Sequence, residues 1–248
     1  MIVKTEGIVL NSRKHGETSK IISLFTKDYG KISVIAKGAR KSKNKFGSSL
    51  DPLSYCSIVV YMKSGRNLHL LSNSELYIPL RRIYNSFNHL TAGLVIVEAI
   101  SQTQDIKEVS NEIFRLATES LIKLNELNKN PLSVSTCFLI KLTGILGFAI
   151  DFVSIREKIN DKTEKHVYFS LKDGSVVKNN IRNNVYRFDL NVAGILWKLS
   201  ISGLSKSSEI NMENKVINQI HDFFISYFSF HFEKRFSFRT LNLFKTML

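Results

Sequence analysis

The chain has 248 residues, 44% of them hydrophobic and 23% charged, which excludes wholesale disorder and fibrous repeats and leaves a folded protein with one large core or two modest ones. Its 35 lysines and arginines against 21 acidic residues give a formal charge of +14, a bias toward polyanionic partners. Cys56 and Cys137 are too few and too far apart for a disulfide framework or a paired-cysteine zinc site, and the apolar stretch Leu94 to Ile100 is interrupted by Glu98 and far shorter than a membrane-spanning helix.

The opening Met1-Ile-Val-Lys4-Thr-Glu6 shows no basic leader before an apolar segment, so an unexported chain with reduced thiols is expected. Residues 1–78 read as short strands with alternating apolar and polar positions, at Val3 to Arg13, Lys20 to Phe25, Lys31 to Ala36, Leu53 to Met62 and Asn67 to Leu76. Glycines in His15-Gly16-Glu17, Asp28-Tyr29-Gly30 and Ser64-Gly65-Arg66 mark tight turns between them. A longer loop, Gly38 to Asp51, separates the third strand from the fourth. Five short strands with one long excursion predict an OB-fold barrel, a fold that commonly binds oligonucleotides.

Beyond Pro79 the apolar spacing becomes helical. In Glu108 to Leu127, Ile113, Leu116, Ala117, Leu121, Leu124 and Leu127 share one face. Further helices are predicted at Pro79 to Gln102, Leu132 to Gly147, Asp189 to Gly203 and Met212 to Phe232. Val167 to Val177 breaks the pattern with Asp173-Gly174 between apolar runs, a hairpin signal near 165–178. The expected organisation is therefore α+β: a barrel domain over 1–78 and a mainly helical domain over 79–248 with a small hairpin insertion.

The charge excess sits mostly in the first part. Met1 to Arg82 holds 15 basic residues against 5 acidic ones, whereas the rest holds 20 against 16. Scattered lysines need no explanation beyond solubility, but Lys37-Gly38-Ala39-Arg40-Lys41-Ser42-Lys43-Asn44-Lys45 puts five cations into nine residues. Their mutual repulsion predicts a segment that is mobile until a polyanion neutralises it, and such a segment can follow a phosphate chain. Arg13, Lys14, Lys20, Lys27, Lys31, Lys63 and Arg66 fall near strand ends or turns, where they would extend the segment into a continuous groove. Phe25, Tyr29, Phe46, Tyr55 and Tyr61 are either barrel core or stacking platforms for bases, Tyr29 and Phe46 being the candidates for stacking.

Catalytic patterns are poor. The histidines at 15, 69, 89, 166, 221 and 231 show no metal-ligand spacing, and no phosphate-binding glycine loop is present, so no enzymatic activity and no cofactor are expected. The final third is rich in phenylalanine, at 223, 224, 228, 230, 232, 236, 238 and 244. Core packing accounts for most of these rings. An apolar pocket rimmed by Lys234, Arg235 and Arg239, suited to an acidic peptide, is the functional alternative.

Glu6-Gly7-Ile8-Val9-Leu10, His15-Gly16-Glu17, Leu24-Phe25-Thr26, Gly30-Lys31-Ile32-Ser33 and Ala36-Lys37-Gly38-Ala39-Arg40-Lys41 closely resemble the opening of the bacterial recombination mediator family RecO. Weaker likeness continues through Gly147-Phe148-Ala149-Ile150-Asp151 to Phe230-His231 and Arg239. The resemblance implies an OB-fold followed by a helical domain. It also implies binding of single- and double-stranded DNA, strand annealing, and loading of the RecA recombinase onto strands coated by single-strand-binding protein. RecR and the acidic tail of single-strand-binding protein are the implied partners, and the implied setting is cytoplasmic and nucleoid-associated.

Lys37, Arg40 and Lys41 match the family pattern and are the implied DNA contacts; Lys43 and Lys45 extend the same loop, supported mainly by charge. Many relatives carry four cysteines after the Gly147 position as a zinc site, whereas Ser154 to Asn160 and the hairpin hold none, so no zinc is expected and packing must hold this region. A different class, an RNA- or ribosome-associated OB-fold adaptor, fits the same composition. A nuclease would need a clustered acidic motif that the sequence lacks.

Overall fold

The computed structural model describes residues 1–161, 165–178 and 184–240. Phe244 lies outside them. The chain forms two compact units, one of Met1–Ser86 with Ile96–Asn125, the other of Phe87–Val95 with the described residues from Glu126 onward.

The first unit is built on a closed barrel of β1 (Ile2–His15), β2 (Ser19–Thr26), β3 (Gly30–Ala36), β4 (Tyr55–Tyr61) and β5 (Leu68–Ile78), in the order β1-β2-β3-β5-β4 with β4 returning to β1. All neighbours run antiparallel except β3 and β5, which pair in parallel with Ser33 beside Leu68 and Ile35 beside Leu70. Alternation explains the interior, since Ile22, Leu24, Ile32, Val34, Ile58 and Val60 point inward along their strands. Irregular register at Val9/Asn11 and Val59/Val60 bends the long strands so that the sheet can close. The five predicted strands are all present. The fourth starts at Tyr55 rather than Leu53, because Leu53 sits at φ 74 after Pro52 and turns the chain first.

After the barrel the structure departs from the single helix predicted over Pro79 to Gln102. A short α1 (Arg81–Tyr84) is followed by Asn85 and an extended Ser86, and α2 (Phe87–Thr103) starts afresh. Asn and Ser favour helix ends over helix interiors because their side chains compete for backbone groups. α3 (Asn111–Glu126) starts three residues later than expected, with the Ser110 hydroxyl accepting from the Ile113 amide at 3.3 Å.

The end of α2 and α3 as far as Asn125 belong with the barrel. Phe114 of α3 meets Phe25 and Tyr55 at ring distances of 5.9 and 6.2 Å. Lys31 makes a parallel bridge with Ile106, and the Lys107 amide donates to the Lys31 carbonyl at 3.0 Å. Gly30 permits this approach: it lies at φ 59, and a Cβ there would stand 2.0 Å from the Glu108 carbonyl oxygen.

The second unit contains α4 (Pro131–Ile145), α5 (Phe152–Asp161), β6 (His166–Ser170), β7 (Ser175–Val177), β8 (Val185–Asp189), α6 (Leu190–Ser207) and α7 (Asn214–His231). The expected hairpin is β6–β7, to which β8 adds a third strand in the order β7-β6-β8. α5 occupies a stretch for which no element was predicted. It starts where the Asp151 carboxylate accepts from the Val153 and Ser154 amides at 2.9 and 3.2 Å. The core is aromatic: Phe169, Phe188, Phe223, Tyr227 and Phe228 are all buried, with Phe188 and Phe223 4.6 Å apart. Burial also pushes the thiols of Cys56 and Cys137, one in each unit, up to about 11.

Gly30→Ala is expected to destabilise the protein by about 2 kcal/mol or more, from left-handed backbone strain and collision with Glu108. An unchanged urea midpoint would show that the contact is dispensable.

Candidate nucleic-acid interface

The basic segment starts where β3 ends. Lys37, Arg40, Lys41, Lys43 and Lys45 are all exposed, while Ala39 and Phe46 are buried in the barrel core with Leu50 behind them. Two turns arrange this alternation. The Lys41 amide donates to the Gly38 carbonyl at 3.1 Å, and the Asn44 side-chain oxygen accepts from the Phe46 and Gly47 amides at 3.0 and 2.9 Å. A short 3-10 turn, Gly47–Leu50, follows, with the Ser49 hydroxyl near the carbonyls of Phe46 and Ser74 at 2.7 and 3.1 Å. Apolar anchors within the segment and just after it thus hold it, where the sequence suggested a loosely held one.

The same end of the barrel carries the β1–β2 turn. The Arg40 amide donates to the Thr18 carbonyl at 2.9 Å, and its guanidinium donates to the Gly16 carbonyl at 2.8 Å. Register brings in the end of β1, because Lys14 pairs with Lys20 and Lys20 with Ala36, the last residue of β3. Arg13 and Lys14 are exposed there, whereas Lys20 is paired with Asp51 at 3.5 Å. Seven of the twelve predicted cations therefore lie exposed at this end: Arg13, Lys14, Lys37, Arg40, Lys41, Lys43 and Lys45.

Lys27, Lys31, Lys63 and Arg66 do not join them, which corrects the expected continuous groove. Parallel pairing of β3 and β5 makes the β4–β5 turn, with Lys63 and Arg66, extend back toward the start of β3 while the basic segment continues from its end. This turn is fixed by the Lys63 amide donating to His69 Nδ1 at 3.1 Å. Burial, with Lys107 nearby, lowers the His69 pKa and keeps that nitrogen an acceptor. Lys31 has a structural role. Its ammonium donates to the carbonyls of Ser101 and Gln104 at 2.9 and 2.5 Å, neutralising the negative end of α2. Lys27 pairs with Glu6 at 3.3 Å.

The aromatics divide in the same way. Phe25, Phe46 and Tyr55 are buried and Tyr29 packs against the core, so Phe46, a candidate for stacking, instead anchors the segment, with Lys45 5.3 Å above its ring. Tyr61 is 42% exposed. Sequence reasoning passed over Tyr84 and Arg81, which follow β5 near the end of the basic segment; the Tyr84 hydroxyl donates to the Pro52 carbonyl at 2.6 Å. An arginine pair after Pro79 was the available signal.

In the second unit Lys234, Arg235 and Arg239 are exposed, but Phe236 and Phe238 between them are buried. Phe148 stacks on His231 at 4.3 Å and meets Phe228 and Phe232 edge-on, so these rings fill space with one another. Among the described residues, no three His, Cys, Asp or Glu side chains group to hold a metal. The region after Gly147 is tied by the Asp151 amide to the Gly174 carbonyl at 2.7 Å, the Val176 amide to the Ser154 hydroxyl at 3.0 Å and the Tyr227 hydroxyl to the Phe148 carbonyl at 3.0 Å. No described helix is long and apolar enough to cross a membrane.

Residues 1–79 match the family described as Recombination protein O N terminal, and residues 84–239 match Recombination protein O C terminal. The chain belongs to the RecO family. Three similar relatives are each named DNA repair protein RecO. That of Chloroherpeton thalassium is 28% identical over the whole of both chains. That of Salinibacter ruber is 34% identical over 177 residues, 71% of this chain and 66% of its own, and that of a Thermoanaerobacter species 30% identical over 185 residues, 75% of this chain and 73% of its own. RecO membership places the chain in DNA repair and recombination, and the closed five-stranded barrel agrees with an OB-type first domain.

Lys31→Met keeps the aliphatic stem and removes both bonds to the end of α2. It is expected to lower the unfolding free energy by about 1–2 kcal/mol in urea denaturation. Unchanged stability would return Lys31 to the candidates for ligand contact.

Proposed function

We propose that this RecO-family protein binds single- and double-stranded DNA through the barrel end that carries Lys37, Arg40, Lys41, Lys43 and Lys45. On this reading it anneals strands and helps load RecA onto strands coated by single-strand-binding protein, without altering DNA covalently. The observation that carries the reading is the gathering of exposed cations on an anchored segment, beside Arg13 and Lys14, at one end of an OB-type barrel. Lysine and arginine contacts to phosphates position a strand without reading its sequence. Two strands neutralised in this way approach each other with their base edges unoccupied, which is what annealing requires. RecR is assigned as a partner, and the acidic tail of single-strand-binding protein is assigned to Lys234, Arg235 and Arg239. These assignments rest on family membership and charge.

The test is fluorescence anisotropy of labelled single-stranded DNA and matched RNA across a salt series. Five phosphate contacts on a single strand give a log–log slope of about −3.5. The Lys37→Ala, Arg40→Ala, Lys41→Ala triple variant should reduce its magnitude by about 2 and lose annealing activity. Lys63→Ala with Arg66→Ala should change it less. Normal annealing by the triple variant, or a clear preference for RNA, would contradict the reading.

A further inference from the structure

The basic segment ends at the edge of a cavity that the binding reading does not use. The cavity has a volume of about 400 Å³ and lies wholly within the first unit, lined by Ser48, Asp51, Ser54, Leu76, Pro79, Leu80, Arg81, Tyr84 and Asn85. That volume falls in the range of roughly 300–1,000 Å³ typical of small-molecule sites. Ser48 and Asp51 follow Lys45 in the chain through the 3-10 turn, so the opening adjoins the basic segment.

Its walls suit a flat, neutral ring better than an anion. Leu76, Pro79 and Leu80 are apolar, and the Tyr84 ring is 46% exposed. The hydrogen bond to Pro52 ties the far end of that ring, so it can receive a stacked partner with little loss of rotamer freedom. The Asp51 carboxylate, paired with Lys20, disfavours a phosphate inside the cavity and can accept hydrogen bonds from base N–H groups. Ser54 lies buried at the cavity floor, its hydroxyl donating to the Ser48 carbonyl at 2.9 Å, while Arg81 is exposed at the rim, where a phosphate would lie.

We propose that this cavity takes one unstacked base of a single strand, stacked on Tyr84, while the basic segment holds the adjoining phosphates. The site rests on the reading of that segment as the strand-gripping element. It gives single strands a contact that a fully paired duplex cannot make, because a paired base is not free to enter.

The experiment compares an intact single strand with an abasic strand of equal length, using the full chain across a salt series. A second arm uses strands carrying 2-aminopurine, whose fluorescence is quenched by stacking. Wild type should bind the intact strand at least about five-fold more tightly than the abasic one, the effect of a single base–aromatic stack. Tyr84→Leu should abolish that preference and the Tyr84-dependent quenching while leaving abasic-strand affinity and its salt slope in place; Tyr84→Phe should retain both. Arg81→Ala removes a rim phosphate contact that both strands share, so it should weaken both alike and leave the preference in place; the wild-type comparison and its 2-aminopurine quenching decide the matter where Tyr84→Leu melts early. Equal, salt-dependent binding of both strands by wild type, or an undiminished preference in Tyr84→Leu, overturns the base site alone and leaves the cavity to another kind of ligand such as a peptide. Absence of salt-dependent binding to either strand overturns the basic-segment reading and the base site with it.

Discussion

Five like charges in nine residues repel one another, and the Lys37–Lys45 segment keeps its course because Ala39 within it and Phe46 just after it are buried in the barrel core. Burial of one phenylalanine is worth roughly 1.5–3 kcal/mol, more than the screened repulsion between exposed cations at ordinary salt. The barrel therefore holds the segment from within while its surface stays cationic. Arg40 adds a lateral tie to the β1–β2 turn, which brings Arg13 and Lys14 to the same end.

The barrel was legible because its signal is local. Alternation fixes which residues face inward, and glycine-marked turns fix where strands reverse, so the β1–β2, β2–β3 and β4–β5 hairpins follow from the sequence almost residue by residue. Strand order was harder to extract. The parallel pairing of β3 with β5 is a long-range fact with no local signature, and it is what separates Lys63 and Arg66 from the other cations. Lys31 was misplaced for the same reason: its partners lie 70 and 73 residues away, at the end of a helix. Phe46 could be read as platform or anchor until the path of the segment was known.

In the helical part, periodicity found the long amphipathic helices and missed elements set by single side chains. Asp151 starts α5 by accepting two backbone amides, a capping signal three residues long inside an otherwise unremarkable stretch. β8 offers only Val185 to Asp189 as a local clue and gains its identity by pairing with β6. The region after Gly147 is joined by backbone and hydroxyl hydrogen bonds around Asp151, Gly174 and Tyr227. Gly174, at φ 64, lets the hairpin turn come close to Ala149, where a Cβ would stand 2.8 Å from the carbonyl oxygen.

On the proposed function, a nucleic-acid strand lies across the barrel end formed by the basic segment and the β1–β2 turn. Photo-crosslinking of the full chain to single-stranded DNA carrying iodinated pyrimidines, with the attachment sites identified by mass spectrometry, tests it most directly. Adducts concentrated between Lys37 and Ser54 and around the β1–β2 turn are the predicted result. Adducts confined to the Lys63–Arg66 turn, or to the chain beyond Glu126, would contradict it.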